Sequence, residues 1–95
     1  MRLNSKQVKT IKDASKAFLP GADVFLFGSR LDDKKLGGDI DLLINTKSKP
    51  DRKVKHKIRH QIWESIGEQK IDIVFDYPGN DSSFTELVKL EMQKL

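Results

Sequence analysis

Two spacings of apolar residues alternate along the chain, and each switch between them marks a new element. Val8, Ile11, Ser15 and Phe18 stand at helical spacing behind Asn4 and Ser5, either of which can cap a helix. Pro20-Gly21 ends that helix, because proline cannot continue the ladder and glycine accepts left-handed dihedrals. Ala22-Asp23-Val24-Phe25-Leu26-Phe27 then reads as a strand apolar on both faces, hence central and covered on two sides. A polar stretch runs through Gly37-Gly38, and Asp39-Ile40-Asp41-Leu42-Leu43-Ile44-Asn45 reads as a second strand. After the turn Thr46 to Pro50, Asp51 is a cap for a helix ending near Gly67, its apolar stripe being Val54, Ile58, Ile62 and Ile66 with Trp63 beside it. Lys70 to Asp76 alternates as a third strand, and Tyr77-Pro78-Gly79-Asn80 turns the chain. Ser83-Phe84-Thr85-Glu86 has the capping-box spacing and opens a last helix through Leu87, Val88 and on to Leu95. The order α-β-β-α-β-α predicts an α/β (α+β) fold: a small mixed sheet with helices on one or both faces.

Length and composition narrow this picture without changing it. A chain of 95 residues is read as one domain over residues 1–95, with a modest core, since so short a chain buries only about 60–65% of its unfolded surface. Lys and Arg number 18 against 14 acids, a net charge of +4, which favours polyanionic ligands such as nucleotides but is shared by many ordinary domains. The absence of cysteine excludes disulfides and thiolate-bound zinc. Met1 to Thr10 is polar and basic, so no signal peptide is expected. The longest apolar runs, Val24–Phe27 and Leu42–Ile44, are too short to span a bilayer. A cytoplasmic protein without membrane association is the expectation.

The candidate chemistry lies in the aspartates. Asp39 and Asp41 are two residues apart on a strand, so both point to one face, about 6.5–7 Å apart along the chain. An Asp-x-Asp pair alone is better explained by the solvent face of a half-exposed strand. Here, however, Ile40, Leu42, Leu43 and Ile44 make the strand read as buried, where unpaired carboxylates are costly and call for a neutralising partner. Asp72, between Ile71 and Ile73, repeats the arrangement on the third strand. Three acids on adjacent strands can converge on divalent metal, which offsets their repulsion and suits in-line displacement at phosphorus. Gly28-Ser29 adds a sharp turn after a strand, where backbone can approach a phosphate and a hydroxyl can donate to it.

Gly28-Ser29, nine intervening residues, Asp39-Ile40-Asp41 and then Ile71-Asp72-Ile73 together resemble the signature of the polymerase β-like nucleotidyltransferase superfamily, and the short length resembles its minimal branch, the MNT or MntA-like proteins. The resemblance implies that Asp39 and Asp41 hold two Mg²⁺ ions, that Asp72 shares the ion nearer the acceptor hydroxyl and helps deprotonate it, and that Gly28 and Ser29 hold the triphosphate. Arg30 is read as a further phosphate contact, its alternative being a solvated surface arginine. The implied activity is transfer of a nucleoside monophosphate, with AMP from ATP foremost, to an acceptor hydroxyl. The resemblance further implies a separately encoded HEPN-domain partner, a toxin whose tyrosine is modified while this chain acts as antitoxin.

Two other readings stay open. One is a non-catalytic nucleotide-binding antitoxin or interaction module, docking through apolar area on the last helix. The other is a nucleic-acid end-modifying enzyme that uses the basic run Lys47, Lys49, Arg52, Lys53, Lys55, Lys57 and Arg59. Only Trp63 is a nearby aromatic, so no stacking platform is evident and nucleic acid is not favoured. His56 and His60 have zinc-compatible spacing but cationic neighbours and no further ligand, so no zinc site is expected. Asp76, on the Asp72 face, is expected to meet solvent at the strand end.

Overall fold

Local hydrogen bonds set the ends of the helices. The Asn4 side chain accepts from the Gln7 N–H at 2.8 Å while the Gln7 side chain accepts from the Asn4 N–H at 2.9 Å, a reciprocal cap that starts α1 (Ser5–Phe18). The Asp51 side chain accepts from the Lys53 N–H at 2.8 Å and starts α2 (Arg52–Ile66). In the computed structural model, which describes residues 3–31, 38–80 and 82–95, these helices alternate with strands β1 (Asp23–Phe27), β2 (Ile40–Asn45) and β3 (Ile71–Asp76), followed by α3 (Ser83–Val88) and β4 (Gln93–Lys94). A 3-10 turn, Gly28–Leu31, follows β1.

The strands form one sheet in the order β3-β2-β1-β4. β1 pairs antiparallel with β2 and with β4, whereas β2 and β3 run parallel. A parallel pair needs a crossover, and α2 supplies it. Strand alternation then sorts the side chains. Val24, Leu26, Ile40, Leu42, Ile44, Ile71 and Ile73 share a core with Ile11 and Ala14 of α1 and Ile58 and Ile62 of α2, so both long helices lie on one face. α3 lies on the other: the Phe84 ring meets Phe27 edge to face at 6.1 Å and Lys89 Nζ stands 2.9 Å from Asp76 Oδ2. The fully buried Leu43 belongs to this second face.

The predicted mixed sheet packed with helices is the observed architecture, with three departures in detail. The last helix is capped by Ser82, not Ser83, and turns Thr85 and Val88 inward. It stops at Val88. Beyond it, Lys94 and Gln93 pair with Phe25 and Leu26, and the Leu95 N–H donates to the Val24 carbonyl at 2.9 Å. The outer edge of β1 thereby gains main-chain partners, a demand that leaves no mark on the side-chain pattern of residues 93–95. Finally, β1 is covered fully on one face only, since Phe25 and Phe27 stay half-buried.

Candidate active site

The register of the parallel pair places the acids. Asp41 of β2 stands opposite Asp72 of β3, so their side chains share a face, and alternation puts Asp39 on that face as well. One carboxylate oxygen from each of Asp39, Asp41 and Asp72 lies within 4.8 Å of the others. α1 and α2 occupy the opposite face and α3 covers only part of this one, so the acids stay accessible: Asp39 and Asp41 are half-buried and Asp72 is exposed. β2 is buried as its apolar residues predict, but the carboxylates are not: Asp39 and Asp41 are only half-buried. The buried character of β2 comes from Ile40, Leu42 and Ile44, which point the other way, and from Leu43 further along.

The turn after β1 closes on the same carboxylates. Phe27 is paired with Asp41 across the antiparallel ladder, so the next residue, Gly28, falls beside the acid. Gly28 has φ +78°, and a Cβ there would overlap Asp41 Oδ2 and sit 3.2 Å from its Cγ. Only glycine meets both demands. Ser29 follows within the 3-10 turn, its hydroxyl outside what the structure describes. Arg30 Nε donates to the Gly38 carbonyl at 3.2 Å, tying the turn to the residue before Asp39. A cleft of about 300 Å³ runs from Gly28 along α3 between Phe27, Phe84, Leu87 and Leu90, the last three largely exposed apolar side chains.

Electrostatics reflect the crowding. Burial, then the Asp72 and Asp39 charges, push the Asp41 carboxyl up from its ordinary 3.8 to about 6. Lys70 opposes this from one side: its Nζ is 3.3 Å from Asp39 Oδ2, and the bond to Asp39 and its charge, then Asp72, raise the lysine's own pKa. The three carboxylates supply hard oxygen donors whose mutual repulsion a divalent cation would offset, so the residues fit a metal such as Mg²⁺. Among the described residues, no other cluster of His, Cys, Asp or Glu has such geometry.

Residues 8–94 match the family described as nucleotidyltransferase domain. The chain belongs to this nucleotidyltransferase family. The match covers every strand and helix core just described apart from the start of α1, and it agrees with a minimal nucleotidyltransferase of the polymerase β-like superfamily. No curated protein matches the chain. As a nucleotidyltransferase domain it takes a nucleoside triphosphate and transfers a nucleotidyl group.

The remaining candidates of the sequence take structural places in the nucleotidyltransferase. Asp76 does not meet solvent. It is 5% exposed and accepts from Asn45 Nδ2 at 2.9 Å while pairing with Lys89, a strut at the far end of β3. His60 turns to Glu64 at 3.2 Å, and His56 Nδ1 lies 3.5 Å from Arg59. The basic run starts at the Asn45 end of β2, a strand length of roughly 16 Å from the acids at the Ile40 end. Arg59 within it donates to the Ile71 carbonyl at 3.0 Å, which anchors α2 beside Asp72. Lys70 went unnoticed in the sequence, although its two-residue spacing from Asp72 was the available signal. No helix among the described residues is long and apolar enough to cross a membrane.

Proposed function

We propose that this nucleotidyltransferase moves AMP from ATP to a hydroxyl on a partner protein. The convergence of Asp39, Asp41 and Asp72 beside Gly28 carries this reading. The acceptor oxygen attacks the α-phosphorus, the bond to the bridging oxygen breaks, and pyrophosphate leaves. Asp39 and Asp41 would hold the two Mg²⁺ ions, and Asp72 would share one of them. When bound, the metal stabilises charge on the entering and leaving oxygens. Gly28 lets the backbone approach the triphosphate, with Ser29 donating to it. Arg30, bonded to the Gly38 carbonyl beside Asp39, adds charge near the phosphates. Asp72, the most exposed of the three acids, faces the arriving hydroxyl and takes its proton. Most of the rate enhancement comes from positioning and electrostatics.

The apolar cleft that leads from α3 to Gly28 favours a protein acceptor over a nucleic-acid end, since the basic run begins at the far end of β2 and continues on α2, which packs on the face of the sheet opposite the acids. A partner protein seated on Phe84, Leu87 and Leu90 would bring its hydroxyl to Asp72. By the family resemblance that partner is a HEPN-domain toxin with a tyrosine acceptor, this chain being the antitoxin, at work in the cytoplasm. The experiment is transfer of label from α-³²P-ATP to a co-purified partner. Label appears with the wild-type chain and disappears with Asp39→Ala/Asp41→Ala. Label that persists in the double variant sinks the mechanism. Partner silencing without any transfer favours the alternative of a non-catalytic binding module.

A further inference from the structure

The Asp41–Asp72 pair is one step of a longer ladder. One residue earlier, the Ile40 N–H donates to the Lys70 carbonyl at 3.1 Å, which continues the parallel register and sets Lys70 opposite Asp39. Alternation puts Lys70 on the Asp72 face and Asp39 on the Asp41 face, and these are the same face of the sheet. Four side chains thus form a two-by-two array, three anions and one cation, with Lys70 Nζ 3.3 Å from Asp39 Oδ2. The main-chain bond fixes the root of the lysine, while its side chain is 70% exposed and free to swing.

We propose that Lys70 is a tethered counter-cation of the carboxylate cluster, filling the electrostatic place of a metal ion when none is bound and yielding Asp39 when one arrives. An ammonium carries one charge and reaches its partner through a hydrogen bond. A divalent cation carries two and takes carboxylate oxygens at about 2.0–2.6 Å. The cation therefore wins, and the exposed ion pair it breaks is weak. Until then Lys70 limits the repulsion that would spread three carboxylates held by rigid strands. Its charge also stands against any incoming cation, so the same residue preserves the site and lowers its metal affinity.

This inference rests on the metal-binding reading of the site, and the test separates the two. Mn²⁺ binding is followed by electron paramagnetic resonance, and melting is measured in chelator, for the wild type, Lys70→Met, Lys70→Arg and Asp41→Asn. The wild type binds Mn²⁺ and Asp41→Asn does not. Lys70→Met binds about three- to tenfold tighter, melts lower in chelator, and gains more from added Mn²⁺. Lys70→Arg behaves as the wild type. A Lys70→Met affinity that is unchanged or weaker overturns the role of Lys70 and leaves the metal site standing. Failure of the wild type to bind Mn²⁺ overturns the site and, with it, the counter-cation.

Discussion

Gly28 and the Asp41 carboxylate are in contact across β1 and β2, with no room for a Cβ between them. The first two parts of the motif are therefore one steric unit. Gly28→Ala forces the carboxylate out of the cluster and sets alanine at φ +78°, a backbone cost of about 1–2 kcal/mol by itself. Nucleotidyl transfer should be lost, with a drop in melting temperature larger than the backbone cost explains. Adding Asp41→Ala removes the clash, so the double variant should recover part of the stability and none of the activity. Thermal melts beside label transfer check both halves.

The raised Asp41 pKa gives the metal-free protein a signed pH dependence. The folded value, about 6, exceeds the ordinary 3.8, so between these limits the folded chain binds more protons than the unfolded one. This group's contribution to stability therefore falls as pH rises from about 4 to about 6 and is flat above. Melts in chelator should show that slope in the wild type and its absence in Asp41→Asn. In the same window protons compete for the carboxylate, so Mn²⁺ binding should weaken as pH drops below about 6.

Thr85 is 1% exposed, and its hydroxyl has no hydrogen-bond partner among the described residues. Valine keeps the shape and removes the unsatisfied group. Thr85→Val should raise stability by about 1 kcal/mol, read as a higher denaturation midpoint at unchanged slope, without loss of transfer activity.

Asp76 joins Asn45 of β2 and Lys89 after α3 at the end of the sheet away from the acids. Asp76→Ala should cost about 1–3 kcal/mol and loosen α3. The folded fraction should still bind Mn²⁺, since Asp39, Asp41 and Asp72 are untouched. Loss of metal binding at full folding would mean that Asp76 belongs to the site.

Periodicity was enough to place the strands and long helices, because a buried stripe every three to four residues or every second residue is a local property. Asn4 and Asp51 were readable as caps for the same reason: a cap bonds within its own first turn. The pairing of Asp39 with Asp41 on one face likewise follows from alternation along a single strand. The start of α3 was off by one, since Ser82 and Ser83 are equally good caps and the inward packing of Thr85 and Val88 decides between them.

What joined Asp72 to the other two was the register Asp41–Asp72, set by how α2 returns the chain, and no local rule specifies that. The same register put Lys70 against Asp39 and made Asp76 a buried strut at the opposite end. Main-chain bonding at the edge of β1 turned residues 93 and 94 into a strand, and the crossing of β1 and β2 brought Gly28 against Asp41. The sequence alone determined which side chains share a strand face. Tertiary structure decided which faces meet, because strand pairing depends on contacts between residues well separated in the chain, from Phe27 with Asp41 to Asp41 with Asp72.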